Sequence, residues 1–282
     1  MYEPYYIKKL RIDEIHELGY MGEGIKIVII DSGADYKHLE LENKISYGIN
    51  LTTENDNNYF DYRDNSGHGT GVLGEIVKIA PKSQIIIIKA MNKDGSGKLS
   101  DIIKALKFAI SMKPNIINMS IGTIIHNSDI EKMINKAVEN NISVVCAAGN
   151  DGDGESNTRE FAYPAYYQSS ISVGAMTKDY KPSFFSNTNG LIDLITFGEE
   201  IESIYPNDRY GTASGTSQAC PIVTGVMALM LQFLREKNKE EIKEMDLYEY
   251  MIENTKSIRG VDKNSQGNGY LCLDKFIEDI KK

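Results

Sequence analysis

Cysteine is scarce in this chain, and the three cysteines present lie far apart. Cys146, Cys220 and Cys272 are odd in number and widely spaced among the 282 residues. This pattern suggests neither a disulfide framework nor a zinc motif. The sequence therefore indicates a protein that is made and kept in a reducing compartment.

Basic residues are outnumbered by acidic ones, 31 against 40, and the formal net charge is −9. A nucleic acid or an acidic membrane surface would require a basic patch, so we expect neither as a partner. The acidity suits either a mild preference for basic substrates or a solvated cytosolic surface, and we favour the surface.

Long apolar runs are also missing. The stretch from Met1 to Gly24 carries eight charged side chains and holds no apolar segment of the length that a signal peptide needs. Runs elsewhere fall short of a membrane span. We find no internal repeat and no low-complexity linker, so we predict one domain over residues 1–282.

Short β-branched runs alternate with amphipathic stretches along the chain. Such alternation predicts an α/β fold, a three-layer doubly wound and mostly parallel sheet with helices on both faces. Helix starts are indicated by Ser100 and by Ser128, the latter with Glu131 three residues on as a capping box. The predicted strands are Ile25–Ile30, Ile85–Ile88, Ile116–Met119 and Ile142–Ala147; the predicted helices are Ser100–Met112, Ser128–Asn140, Ser217–Lys237 and two shorter ones at the end.

Two polar residues directly follow predicted strands, at the sheet edge where ligands bind in such folds. Asp31 stands in an Asp-Ser-Gly sequence, and Asn150 ends an Ala-Ala-Gly-Asn sequence. A buried carboxylate must be paired, and a side-chain amide there can direct a donor into the cleft. Each residue alone is more often a simple turn former.

Two further residues have chemical potential in their local context. His68 lies between glycines that leave its ring unobstructed, and the apolar residues after it predict a buried helix. Ser217 opens the long helix, where the helix dipole favours a developing oxyanion; Pro221 suits its first turn. Each residue alone is more often structural, Ser217 as a plain N-cap.

Together the four residues form a known order, Asp-His-Ser with an Asn donor between His and Ser. The four motifs resemble those of the subtilisin-like proteases in content, order and spacing, from about Ile7 to Leu234. The resemblance implies a serine endopeptidase that acts through an acyl-enzyme, with peptide or protein substrates. In it His68 is the general base, Asp31 orients it, Ser217 attacks, and Asn150 donates to the oxyanion.

The resemblance also implies substrate-contact segments. Two extended segments on either side of the substrate backbone correspond to Gly95, Ser96 and Gly97 and to Ser120, Ile121 and Gly122. The pocket for the residue preceding the scissile bond would have Asp151 at its rim and Ala162 near its base. Within the family, the likeness is greatest to the bacterial intracellular subtilisins, which implies a cytoplasmic protein.

Several departures from the family pattern bear on cofactors and regulation. The chemistry requires no cofactor, but family members with a tight calcium site have a longer loop between His68 and Pro81. That loop is deleted here although Glu40 matches an acidic ligand position, so only a weaker cation site near Tyr163–Tyr166 and Asp193 is left open. No prodomain is expected, and residues 1–6 predict a short disordered tail.

Two alternatives to an active enzyme were weighed. A catalytically silent subtilisin fold could serve as a binding or sensing module, as in spore germination, but silent relatives usually lose a triad residue. A nucleotide-binding protein would need a glycine-rich phosphate loop after the first strand, where Asp31-Ser32-Gly33 stands instead. Broad turnover or processing of one partner protein, and a homodimeric state, are left open.

Overall fold

The protein was analysed as a computed structural model that describes residues 3–238 and 241–282. The chain begins with two short helices, α1 (Tyr5–Lys9) and α2 (Ile12–Glu17). Tyr6 and Ile7 are buried in the main core, and Tyr5 donates its hydroxyl to the carbonyl of Glu199 at 2.8 Å. The expectation of a disordered tail is therefore wrong for the described part of residues 1–6, because their aromatic side chains pack on the domain.

Eleven strands are formed by the described residues, and nine of them build one sheet. Burial accounts for most of them, since the central strands have no exposed side chain. The bounds are β1 (Lys26–Asp31), β2 (Ile45–Asn50), β3 (Gln84–Lys89), β4 (Ile116–Met119), β5 (Ser143–Ala147), β6 (Ile171–Met176), β7 (Leu194–Phe197), β8 (Ile201–Tyr205), β9 (Arg209–Ala213), β10 (Thr255–Lys256) and β11 (Tyr270–Leu271).

The sheet order is β10-β11-β7-β6-β5-β4-β1-β3-β2, and every pairing is parallel except that between β10 and β11. After β3 the chain crosses to the other side of β1 to form β4. The carboxyl ends of β1, β4 and β5 consequently lie side by side at a topological switch point, where ligands bind in open α/β sheets. Strands β8 and β9 form a separate antiparallel hairpin.

Helices cover both faces of the sheet, which confirms the predicted fold class. Side chains of β1 alternate between the two layers: Ile27 and Ile29 join one core with α3 and α6, whereas Val28 and Ile30 join the other with α4 and α5. The helix bounds are α3 (His68–Ile79), α4 (Leu99–Ser111), α5 (Ser128–Glu139), α6 (Thr216–Lys237), α7 (Glu244–Glu253), α8 (Lys263–Gln266) and α9 (Asp274–Ile280), with 3₁₀ turns at Leu39–Leu41 and Asn55–Asn57.

The helix ends differ from the predictions in three places. Asn127, not Ser128, caps α5, because its Oδ1 accepts from the backbone N–H groups of residues 129 and 130 at 3.0 and 3.1 Å. Helix α4 begins one residue before Ser100 and has no side-chain cap. Pro221 lies in the second turn of α6, since that helix begins at Thr216, and it withholds a donor from the carbonyl four residues earlier.

Helix α6 is buried along most of its length and lies in the main hydrophobic core. Among the described residues it is the one helix long and apolar enough to cross a membrane by length and composition, so the expectation that no run reaches that length was wrong. Its most apolar window is 89% buried within the protein, which is the behaviour of a central helix in a globular fold.

Candidate active site

A buried carboxylate and an imidazole meet at the carboxyl end of β1. Asp31 is fully buried, and its Oδ1 lies 2.7 Å from Nδ1 of His68, the first residue of α3. A β-carbon on Gly69 would overlap the carbonyl of Gly33, so this glycine lets α3 approach β1 closely. The charge of Asp31 raises the pKa of His68. The arrangement can orient an imidazole and stabilise its protonated form.

A second buried carboxylate, which the sequence analysis missed, anchors the start of α3. Asp64 accepts from the backbone N–H groups of Ser66, Gly67 and Thr70, each at 2.9 Å, and from the hydroxyl of Ser32 at 2.9 Å. Burial alone would raise the pKa of Asp64, but hydrogen bonds from Thr70 and the backbone hold it below its ordinary value. An Asp shortly before a predicted helix was the available signal, since carboxylates favour helix N-termini.

Ser217 lies in the first turn of α6, where backbone N–H groups have no partner within the helix. The Ser217 Oγ and the Asn150 Nδ2 both lie beside Gly215. They lie 3.2 and 3.3 Å from the point that a β-carbon on Gly215 would occupy. A side chain at position 215 would therefore crowd both the hydroxyl and the amide donor.

The amide of Asn150 has a defined orientation. Its Oδ1 accepts from the backbone N–H of Thr216 at 2.8 Å and from the hydroxyl of the same residue at 3.0 Å. The Thr216 hydroxyl in turn accepts from the N–H of Gly149 at 3.1 Å. Because the oxygen is held in this way, the Nδ2 donor is held on the side of Gly215, where the Ser217 hydroxyl also lies. The sequence analysis did not anticipate Thr216 as a contact of Asn150.

One cavity of about 290 Å³ brings most of the predicted substrate contacts together with Ser217 and Asn150. Ala162 is buried beneath it, and a β-carbon on Gly122 would stand 3.3 Å from the Ala162 Cβ. The cavity is lined by Ser120, Ile121, Gly122, Thr123, Ile124, Ala147, Gly149, Asn150, Asp151, Ala162, Thr216 and Ser217. Ile124 is 77% exposed and was not anticipated as part of the wall.

The segment Gly95–Gly97 does not line this cavity. It forms an exposed turn in which Ser96 donates its backbone N–H to the Asp94 carboxylate at 2.9 Å and accepts from the N–H of Asn92 at 2.8 Å. Residues 120–122 thus line the cavity beside Ser217, whereas residues 95–97 lie outside its lining.

Comparisons with known proteins identify the family of the chain. The model of the subtilase family matches residues 22–269. The chain belongs to the subtilase family. It is a subtilisin-like serine protease, and its substrates are therefore peptides or proteins.

Similar subtilases include two proteins named for an intracellular location. The intracellular serine protease of Paenibacillus polymyxa is 39% identical over 270 residues, which cover 93% of this chain and 82% of that protein. The major intracellular serine protease of Bacillus subtilis is 35% identical over 277 residues, with 95% and 86% covered. The subtilisin of Bacillus pumilus is 35% identical over 237 residues, with 81% and 84% covered.

A buried thiol, that of Cys220, lies three residues after Ser217 in α6. The thiol of Cys220 is buried and contacts the Asn118 Oδ1 at 3.3 Å, which also accepts from the Thr224 hydroxyl at 2.8 Å. Asn118 donates to the Ser120 hydroxyl at 3.1 Å. Burial raises the pKa of Cys220 well above its ordinary value, so this thiol stays protonated and does not compete with Ser217.

Proposed function

We propose that this subtilase is an active serine endopeptidase with Asp31, His68 and Ser217 as its triad and Asn150 as an oxyanion donor. The observation that carries the proposal is the Asn150 amide, whose oxygen is held by Thr216 while its nitrogen and the Ser217 hydroxyl both lie beside Gly215. Such a donor serves a charge that develops in the transition state.

The mechanism follows from the roles that the side chains can take. Neutral His68 accepts the Ser217 proton as the hydroxyl attacks the peptide carbonyl, and Asp31 at 2.7 Å stabilises the resulting imidazolium. The tetrahedral oxyanion accepts from Asn150 and from the Ser217 backbone N–H. His68 then protonates the leaving amine, and water releases the acyl group by the same steps in reverse.

We expect broad specificity rather than recognition of one sequence. The cavity beside Ser217 is lined mainly by small residues and backbone, and Ile124 adds an exposed apolar side chain at its edge. Asp151 is the one acidic residue among the lining residues, and it is exposed. Large apolar side chains therefore fit the walls, and a Lys or Arg could pack its stem there with its head near Asp151.

Binding of the substrate backbone would use residues 120–122 and, from the opposite side, the turn at residues 95–97. An extended peptide gains affinity through backbone hydrogen bonds with little demand on sequence. Since the backbone N–H groups of Gly95 and Ser96 both donate within the turn, pairing on that side is expected to use Gly97.

The proposed reaction uses only groups of the chain, and the residues near Glu40 do not fit a calcium ion. The cavity beside Glu40 is also lined by Lys44 and Lys78, and the Lys44 ammonium donates to the carbonyl of Pro81 at 3.2 Å. Calcium requires about six to eight oxygen ligands, whereas here an ammonium group takes a carbonyl oxygen. Helix α3 runs through Ile79 without an interposed loop.

The weaker cation site considered near Asp193 is also a poor fit. Both oxygens of this half-buried carboxylate already accept from protein donors, Tyr248 at 2.6 Å and the backbone N–H of Ser172 at 2.7 Å. Burial raises the pKa of Asp193. Within residues 3–238 and 241–282, no group of three or more His, Cys, Asp or Glu side chains could hold a metal ion.

An intracellular location is proposed from two observations. Two similar proteases carry the word intracellular in their names, and all three cysteines of this chain are free thiols, two of them buried. A reducing compartment keeps such thiols free.

A fluorophosphonate probe tests the enzymatic proposal directly. We expect the wild-type protein to be labelled, and Ser217→Ala to lose both label and peptide hydrolysis; in subtilisin itself, loss of this nucleophile costs about 10⁶ in turnover. Ser214→Ala is the matched control, because Ser214 is exposed three residues earlier, and it should keep the label. An unlabelled, folded wild-type protein would support the silent binding module instead.

A further inference from the structure

The residue before and the residue after Asn150 are both held by one distant residue. The backbone N–H of Asn187 donates to the carbonyl of Gly149 at 3.1 Å. The backbone N–H of Asp151 donates to the side-chain Oδ1 of Asn187 at 2.7 Å. The two peptide units that flank Asn150 are thus both hydrogen-bonded to Asn187, one to its backbone N–H and the other to its side-chain oxygen.

Asn187 is itself firmly placed. It is 1% exposed, and it follows a segment joined to β6, where the N–H of Ala175 donates to the Ser186 hydroxyl at 3.0 Å. Two residues earlier, the carbonyl of Phe185 accepts from the N–H of Gly152 at 2.9 Å. The loop at residues 149–152 therefore rests on residues 185–187, which the central sheet supports.

The shape of the contact shows that Asn187 and Gly149 fit each other. Gly149 has φ +107°, a conformation that favours glycine, and a β-carbon on it would overlap the Asn187 Nδ2. That Nδ2 is buried without a hydrogen-bond partner among the described residues. The hydrogen bond that orients the Asn187 amide is therefore the one that its oxygen accepts from the backbone N–H of Asp151.

The side chain and the backbone of Asn150 are therefore held by different partners. Thr216 fixes the oxygen of the Asn150 amide, whereas Asn187 fixes the peptides on either side of the Asn150 Cα. We propose that Asn187 is a positioning residue for the oxyanion donor Asn150, through which it sets the rate of the acylation step. This inference rests on the proposed function of Asn150.

The test is a double-mutant cycle measured on a peptide substrate, with kcat normalised by active-site titration. Asn187→Leu removes the acceptor at similar size, and we expect kcat to fall by about 10- to 100-fold with KM within about twofold, since small misplacements of catalytic groups have such effects. Asn150→Ala alone should cost about 10²–10³ in kcat, the loss measured for the corresponding donor of subtilisin. In the Asn150→Ala background, Asn187→Leu should change kcat by less than about twofold.

Two further variants keep the test decisive. Asn187→Ser withdraws the acceptor but leaves room for water, so it should show the same pattern if the leucine variant fails to fold. Asn254 is the matched control, being 1% exposed and bonded through its amide to the carbonyl of Tyr250 at 2.8 Å, and Asn254→Leu should leave kcat unchanged.

The inference is overturned if the Asn187 substitutions lower kcat equally with and without Asn150. It is also overturned if they raise only KM, or if Asn254→Leu lowers kcat as much. The proposed function fails separately, when Asn150→Ala and Ser217→Ala keep wild-type turnover.

Discussion

Glu75 provides a prediction about stability that follows from burial alone. This residue of α3 is fully buried, and neither of its carboxylate oxygens has a hydrogen-bond partner among the residues that the structure describes. Burial raises the pKa of Glu75 well above its ordinary value. We expect the folded protein to keep Glu75 protonated where the unfolded chain has already released the proton.

The sign of the pH dependence follows from proton counting. Below the ordinary pKa of 4.5, Glu75 is protonated in both states and its stability contribution is fully present. Above that value the folded state holds one more proton, so the free energy of unfolding falls by about 1.4 kcal/mol per pH unit. The fall ends when the pH passes the folded-state pKa.

Glu75→Gln removes the titration while keeping the size of the side chain. Relative to this variant, the wild type should lose about 1.4 kcal/mol of stability for each pH unit above the ordinary pKa. Urea unfolding at about pH 5, 6 and 7, in a Ser217→Ala background that prevents self-digestion, measures the difference.

Glu139→Gln is the control, because Glu139 is exposed at the end of α5 and its replacement should change stability by less than about 0.5 kcal/mol at every pH. A wild-type minus Glu75→Gln difference that stays constant with pH would refute the reasoning, since it would mean that Glu75 does not keep its proton on folding.

Three further predictions concern the site. The charge of Asp31 raises the pKa of His68 above its ordinary value of 6.5. Because only neutral His68 can accept the Ser217 proton, kcat/KM should rise with pH through a midpoint above 6.5. A midpoint at or below that value contradicts the assignment of His68 as the base. Excess chelator should barely shift the midpoint of thermal unfolding. If a tight calcium site existed and free calcium stood at a thousand times its Kd, removing the calcium would lower the free energy of unfolding by about 4 kcal/mol. A loss of stability of that size would show that such a site exists. In a peptide library, Asp151→Asn should reduce the share of cleavages after Lys and Arg by less than about fivefold, because Asp151 is exposed. The share of cleavages after apolar residues should not change. If the share after Lys and Arg did not change either, Asp151 would have no part in substrate selection.

Local patterns in the sequence were sufficient for much of the fold. The runs that became β1, β3, β4 and β5 are apolar on both faces, and a buried parallel strand demands that composition wherever it occurs. The placement of Asp31 at the end of β1 and of Asn150 three residues after β5 could be predicted for the same reason. Glycines around His68 indicated a close backbone approach, which Gly69 makes.

Other features depend on contacts between residues far apart in the chain. The cap of α5 moved by one residue because Asn127 and Ser128 are both good caps, and only the path of the entering chain decides between them. The buried placement of Tyr6 depends on a surface that the rest of the domain creates. Strands β8 and β9 pair only with each other, and their short alternating pattern was too weak to predict.

The division is clearest at the site. The types of residue at positions 31, 68, 150 and 217, and their order, were determined by the sequence itself, since the chemistry demands those side chains. Their support came only from the tertiary structure: Thr216 reaches Asn150 across 66 residues of chain, and Asn187 reaches Asp151 across 36. Hydrogen bonds of this kind leave no periodic or local signal, because the donor and the acceptor meet only when the sheet and α6 bring them together.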